Sequence, residues 1–474
     1  MLYPVLHGQL GRRALLRRAA RLGLGAPSVM ALLAACTTSS SSPSASSGAP
    51  SAATAPPAGA AAGAAQPTPL PTPAAGNPKP NTVTANLWES IPPETEKFWL
   101  GQQMPAFYQQ HPEANIVTRQ LGNEDPAKIR AGLTAGGDQA PAMAWIASSE
   151  TGAYVEGNVL ADVDSWLNAK PNLKSDLLPS LVQLSTYQGK VRSLPWMSNN
   201  CAMWLNLDAF SAAGVPVPSQ DPEKTWTWEE FADAVKKLTS ADRKGYLVSV
   251  GGTWDTWLFH AWIAQAGGQF LTEEGDPKFN EAPGVEAATF IKSLVDGGST
   301  AFSEPNKGSD AGPWYAGKVA IITNGPWNFP TLSKFTQFKF TVVPYPRHKQ
   351  PATNLGGDQL FIFERGQQVN NVSFAFAEYM LSPEFQTAFN IQSGNLPVVK
   401  SASSSQTYQD YLKQYPFMAG WNNQTAYGVQ RQPVPQYNDV ATIFSQAWDD
   451  IMLKGAGIQD RLNQAAQQAS ALKR

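Results

Sequence analysis

Six of the fifteen tryptophans stand beside polar or turn residues instead of inside apolar runs: Trp88, Trp196, Trp254, Trp257, Trp327 and Trp421. An indole has a flat apolar face and one N–H that needs a partner when buried. Such faces bordered by hydrogen-bonding groups suit a ligand with apolar C–H surfaces and polar edges, as a sugar ring has. Packing is the other use of an indole, and taken singly each residue fits it well. Signatures of catalysis are mostly missing. There is no HExxH, no G-x-S-x-G and no Cys/His set with metal spacing, so neither a metal nor a cofactor is expected. Gly312 to Lys318 imitates a phosphate loop, but Val319 stands where a hydroxyl would hold magnesium. The carboxylate pairs Glu229/Glu230 and Asp449/Asp450 fall on predicted helices and read as solvated faces. Cys201 as a nucleophile would need a base, and only His111, His260 and His348 follow the leader, so it reads as a buried, apolar-like cysteine. The chain is expected to bind without catalysing.

The elements that would hold these residues alternate. Thr82 to Trp88 reads as a strand, Glu94 to Gln110 as a helix, Ile116 to Thr118 as a strand, 125 to 135 as a helix and Ala142 to Ala147 as a strand. This order predicts a parallel sheet with helices on both faces, and ligands in such sheets lie beyond the carboxyl ends of the strands. Those ends are Trp88-Glu89-Ser90 and Ser148-Ser149-Glu150. Further on, Thr227 with Glu230 forms a capping box opening a helix that runs through Leu238. Helical periodicity also covers Pro283 to Val295, Ser373 to Leu381 and Ile443 to Leu472.

Arg12-Arg13-Ala14-Leu15-Leu16 precedes an apolar run from Leu22 to Ala35 that is too short to span a bilayer as a helix. A basic start, a short apolar stretch and small residues describe an export signal. Leu33-Ala34-Ala35-Cys36 resembles the lipobox of bacterial lipoproteins, which implies lipid modification of Cys36 and a place on the outer face of the membrane. The paired arginines resemble a twin-arginine motif. Residues 1–36 are thus read as a signal peptide. Residues 37–81 are nearly all Ser, Thr, Ala, Pro and Gly and are expected to be a disordered tether with a reach of roughly 35–40 Å. Removing the five leader arginines leaves 30 basic against 37 acidic residues, a net charge near −7 that argues against nucleic acid as a partner. Nearly 400 residues remain, more than one core usually supports. No later apolar stretch is long enough to span a membrane.

Several motifs carry a family likeness in order. They are Gly189-Lys190 through Leu194-Pro195-Trp196, Met203 to Phe210, Ala213-Gly214 through Pro216, Thr225 to Glu230, Ala320 to Trp327, Leu355-Gly356-Gly357-Asp358 and Leu381 to Gln386. From residue 82 to 474 the chain resembles the extracellular solute-binding proteins of ABC importers, in particular the carbohydrate family that includes maltose-binding protein. The resemblance implies an α/β fold of the periplasmic-binding-protein type, with two hinged lobes and a ligand cleft. Lobe one is expected at 82–196 plus 346–398 and lobe two at 197–345 plus 399–474. It implies a monomer that hands a carbohydrate to separate permease and ATPase chains.

By the same likeness Trp327 and Trp257 stack on sugar, with Asp255 beside Trp257. Ser149, Glu150 and Asn199 supply polar contacts, and Trp421 and Tyr437 further aromatic ones. Trp88, Glu89, Gly356, Gly357 and Asp358 follow from the strand ends and the likeness together. Ser149 and Asn199 depart from the charged residues of the maltose binder, so maltose itself is not implied. The competing readings are an exported glycoside hydrolase, or the same fold holding a polyol phosphate, a polyamine or an anion.

Overall fold

The computed structural model describes residues 76, 78–121 and 125–472. The leader with Cys36, and nearly all of the tether, lie outside them. No described helix is long and apolar enough to cross a membrane. The fifteen strands among the described residues are β1 (Val83–Glu89), β2 (Ala114–Gln120), β3 (Met143–Ala147), β4 (Thr186–Tyr187), β5 (Lys190–Val191), β6 (Leu194–Pro195), β7 (Asn199–Asn200) and β8 (Ala202–Asn206), followed by β9 (Lys244–Val248), β10 (Thr300–Phe302), β11 (Val319–Asn324), β12 (Phe340–Val343), β13 (Thr353–Gly356), β14 (Asp358–Ile362) and β15 (Gly428–Val429).

Two five-stranded sheets, β2-β1-β3-β14-β6 and β10-β9-β11-β8-β12, each form the floor of one lobe. In the first, β1, β2 and β3 run parallel, as their helical crossovers require, but β14 lies antiparallel to both β3 and β6. In the second, β8 plays that part between β11 and β12. The expected parallel sheet is therefore a mixed one. The physical reason is the same in both lobes: β8 and β14 are the first strands after the chain crosses from the other lobe, so no β-α-β crossover dictates their direction. The crossing segments also pair with one another. Leu355 faces Asn200 and Gly356 faces Asn199 in a small sheet, β15-β13-β7, that ties the lobes together.

Each lobe has its own core. Leu87, Ile116, Trp99, Trp196 and Phe376 pack in the first; Met203, Leu205, Phe231, Trp262 and Phe444 pack on one side of the second sheet, and Trp204, Trp314 and Trp421 on the other. The lobe boundaries differ slightly from those expected. Arg347 and Lys349 donate their backbone N–H to Trp226 and Gln265 of the second lobe, so the return crossing comes after Ala352 and not at 346. Val399 and Ala402 still pack in the first core.

Local chemistry explains most elements. Thr227 Oγ1 accepts from Glu230 N at 3.2 Å while the Glu230 carboxylate accepts from Thr227 N at 2.8 Å, and the helix Trp228–Leu238 follows. The helix expected over 94–110 is interrupted by a π turn, Trp99–Gln103, in which Met104 N bonds to Trp99 O. Pro105 lies just beyond it and has no N–H for the preceding turn, so the ladder widens there. The long C-terminal helix is two, Tyr437–Lys454 and Ile458–Ser470, because Gly455 adopts a left-handed φ of 72° and ends the first. The phosphate-loop imitation folds as a short helical turn, Gly312–Tyr315, whose Trp314 is wholly buried.

Candidate functional site

Between the lobes lies a cavity of about 390 Å³. Ser90, Trp145 and Asp358 come to it from the first sheet; Trp254, Trp257, Ser309 and Trp327 come from the second lobe. Met197, Asn199, Gly357, Asn395 and Arg431 line it from the crossing segments.

Three indoles form its apolar wall on the second-lobe side, opposite Trp145 of the first. Trp254 meets Trp257 edge to face at 5.1 Å and Trp327 at 5.7 Å, while Trp257 and Trp327 lie 6.3 Å apart at an interplanar angle of 27°. Trp254 and Trp257 sit one turn apart on the helix Thr253–Gln265, which puts them on one face. Trp327 is placed by its motif. An added Cβ on Gly325 would stand 1.9 Å from the Trp327 ring, so only glycine lets the indole fold back there. Asn324 braces the turn by accepting Gly325 N with its side chain and donating to Ser309 O.

The crossing segments need glycine for the same reason. A Cβ on Gly356 would lie 2.5 Å from the Trp257 ring and 2.6 Å from Asn199 Oδ1. Gly357 has a φ of 139°, and a Cβ there would meet Met197 O at 2.3 Å. Two close approaches, indole on one side and amide on the other, thus converge on this pair.

Around the indoles, polar atoms gather without partners. Ser90 Oγ, Trp145 Nε1, Asn199 Oδ1, Trp254 Nε1, Trp257 Nε1, Asn395 Oδ1 and Arg431 Nε are buried and have no hydrogen-bond partner among the described residues. Buried polar groups are ordinarily satisfied, and each exception asks for a reason. Here donors and acceptors share one cavity, a mixture that complements hydroxyl groups, which both give and take hydrogen bonds. The Arg431 guanidinium stacks over Trp257 with its carbon 5.2 Å from the ring centroid.

Of the expected site residues, Asn199, Trp257, Trp327, Gly357 and Asp358 line this cavity, with Gly356 directly behind Trp257. The others lie elsewhere, each for a physical reason. Trp88 points into a closed core with Ile129, Ile146 and Phe361, where its ring fills the space left by Gly132. Glu89 is wholly buried and accepts from Ile91 N at 2.6 Å; burial, then the Glu96 carboxyl, push it up to about 9. Its neighbour Ser90 reaches the cavity instead.

Ser149 is buried in the turn after β3 and does not line the cavity. Glu150 pairs with Arg130 and accepts from Asn438 of the second lobe, bridging the lobes away from the indoles. Asp255 is rotated about 100° from Trp254 around the helix and points into the second lobe, where Ser445 donates to it at 3.2 Å. Burial, then Asp449, raise its carboxyl to about 7. Trp421 is a brace and not a stacking surface: its Nε1 donates to Asn324 O at 3.1 Å, beside Trp204, and so fixes the strand that presents Trp327. Tyr437 is buried with its hydroxyl 3.0 Å from His260 Nε2. Burial, then Arg431, hold that imidazole down at about 3, so it is neutral.

Residues 103–415 match the protein family described as bacterial extracellular solute-binding protein. The chain belongs to that family. Capture of a solute outside the cytoplasm for an ABC importer is the family's role, so this solute-binding protein works extracytoplasmically. It is similar to the sn-glycerol-3-phosphate-binding periplasmic protein UgpB of Salmonella typhimurium, 24% identical over 377 residues that span 74% of this chain and 82% of that protein. Among solved structures it resembles the cyclic alpha-maltosyl-1,6-maltose binding protein of Arthrobacter globiformis, 26% identical with a TM-score of 0.69 over 82% of this chain and 98% of that one. UgpB of Mycobacterium tuberculosis in complex with glycerophosphocholine has the same fold, at 19% identity with a TM-score of 0.71 over 82% and 98% of the two chains. Members of this solute-binding family are binding proteins.

Proposed function

We propose that this solute-binding protein captures a carbohydrate, an oligosaccharide, between its lobes and delivers it to an ABC permease driven by a separate ATPase, without altering it. One observation carries the reading: three indoles and a ring of unpartnered donors and acceptors share a single interlobe cavity. The indoles cover C–H faces while Asn199, Asn395, Asp358 and Arg431 serve the hydroxyls. Lobe closure follows only from the ligand's better contacts in the shut state. The matched binder of a cyclic maltosyl-maltose supports this choice of ligand class. A thermal-shift screen against mono- and oligosaccharides tests it, since a ligand of the folded state raises the melting temperature. A rise with at least one sugar, with no product after prolonged incubation, is expected. Turnover of the sugar would make the chain an exported hydrolase.

Cys36 is the lipidated residue in this reading, and the 37–81 tether lets the globule, a monomer, range over the membrane while anchored. The paired arginines in the leader suit twin-arginine export. Cys36→Ala is expected to release the protein from the membrane fraction; retention would remove the anchor. A second reading, a polyol phosphate, is favoured by Arg431, whose Nε lacks a partner among the described residues, and by the glycerol-phosphate-binding relatives. Glycerol 3-phosphate binding that weakens steeply with salt would select it.

A further inference from the structure

A second and larger cavity, about 830 Å³, lies beside the first. The two are consecutive along one face of the helix Thr253–Gln265. Thr253, Trp254 and Trp257 line the first, and His260 and Ala264, spaced three and seven residues beyond Trp257, line the second. At 1.5 Å per residue this stripe is about 16 Å long. Arg431 is the one residue that lines both cavities, and its guanidinium on Trp257 forms the wall between them. A single hexose seated among the indoles leaves the second space unused.

The second cavity is also shared by both lobes. On the first-lobe side the β4–β5 hairpin closes through Gln188 and Gly189, which have φ of 52° and 72°. Two left-handed residues in a two-residue loop make the tight turn that matches strand twist. Glutamine is a strained choice at the first of them, and it puts Tyr187 and Gln188 on the cavity. Opposite stand Gln269 and Phe270, and Gln430 and Gln432 run along the side. Gln432 Oε1 is buried without a partner among the described residues, the same condition found around the indoles. A primary amide both donates and accepts, as a hydroxyl does. Glu273 and Glu274 also line this cavity, which opposes an anionic occupant.

We infer that the second cavity is a further compartment of the ligand cleft, holding the outer rings of an oligosaccharide whose first ring sits among Trp254, Trp257 and Trp327, so that the protein selects by ligand length across Arg431. This rests on the carbohydrate reading above. It assigns Gln188 and Gln432 to recognition of the long ligand alone.

Calorimetric titration of the full chain with glucose, maltose, maltotriose, maltotetraose and maltohexaose, and with the isomaltose series, tests it. Affinity is expected to rise about tenfold or more once the sugar outgrows the indole cavity, the gain from one or two further hydrogen bonds and ring contacts. Gln188→Ala and Gln432→Ala are expected to weaken the longer sugars about tenfold and leave the shorter ones unchanged, with melting temperatures like the parent's. Tight monosaccharide binding with no dependence on length overturns the inference and leaves the carbohydrate reading standing, as does a variant that weakens short and long sugars alike. Binding of glycerol 3-phosphate with no sugar bound overturns both.

Discussion

Two sets of tryptophans, alike in sequence context, have opposite fates in this molecule. Trp196 sits in the closed core of the first lobe against Trp99, Phe376, Phe385 and Phe389, with ring centroids 5.6–6.0 Å apart. Trp254 and Trp327 each meet two aromatic rings, and both stay partly exposed on the interlobe cavity. In the core an indole's whole surface contributes to folding. In the cleft one face is left for a ligand, and its contribution appears only on binding. The backbone contributes to the difference: Gly308, Gly325 and Gly356 let it approach Trp254, Trp327 and Trp257 at the seam, whereas no glycine of the described residues closes on Trp196. Gly132 shows that the same device can also serve a core indole, Trp88.

Substitutions can break this contrast. The largest effect is expected for Trp196→Ala, a loss of about 3–5 kcal/mol of stability in urea denaturation, because the cavity left in a packed core does not collapse fully. Trp327→Ala should instead cost about 1–3 kcal/mol of affinity by calorimetry, with a smaller change in stability. Equal stability losses for the two would erase the distinction.

Protonation sharpens it further. Asp255 stands above its unfolded value, so its stabilising contribution is complete below about pH 4 and is lost as pH rises through about 7; Glu89 behaves likewise through about 9. His260 has the opposite sign, with stability present above its ordinary value and lost as pH falls through about 3. The melting temperature should therefore decline from mildly acidic to alkaline pH. Asp255→Asn should flatten the fall toward neutrality and raise the melting point at pH 8 by roughly 2–4 °C. It should leave sugar affinity nearly unchanged, because this carboxyl faces away from the cavity. Smallest, Thr227→Ala should cost about 1 kcal/mol of stability through the lost cap and leave binding untouched.

The residues differ in how far their sequence announces them. The Thr227 capping box and the Asn-Gly-Pro-Trp turn are local signals, and local geometry honours them. The strands end about where expected, but of Trp88-Glu89-Ser90 and Ser148-Ser149-Glu150 only Ser90 lines the cavity. Asp255 and Trp254 were harder to separate, since being next to Trp257 in sequence says nothing of face; one turn away does, and Trp254 is the residue one turn back. Trp421 and Tyr437 lie near the cleft in the chain's order but are drawn inward by Asn324 O and His260, partners that only tertiary packing supplies. Ser90 was one residue beyond the expected Glu89. Arg431, in Val-Gln-Arg-Gln-Pro, carries no pattern at all; its role comes from the seam between the lobes. The antiparallel strands β8 and β14 were hidden for a related reason, because they follow interlobe crossings and alternation along the chain describes each lobe as if it were continuous.

The one thiol beyond the leader, Cys201, is wholly buried, and that burial pushes its ionisation far up. It should ignore maleimides while the protein is folded. A cysteine placed on each side of the seam could then carry a donor and an acceptor dye with no background labelling, and the fluorescence of such a pair would report the lobes' approach in real time, turning the molecule into a reagentless optical sensor for whatever it captures.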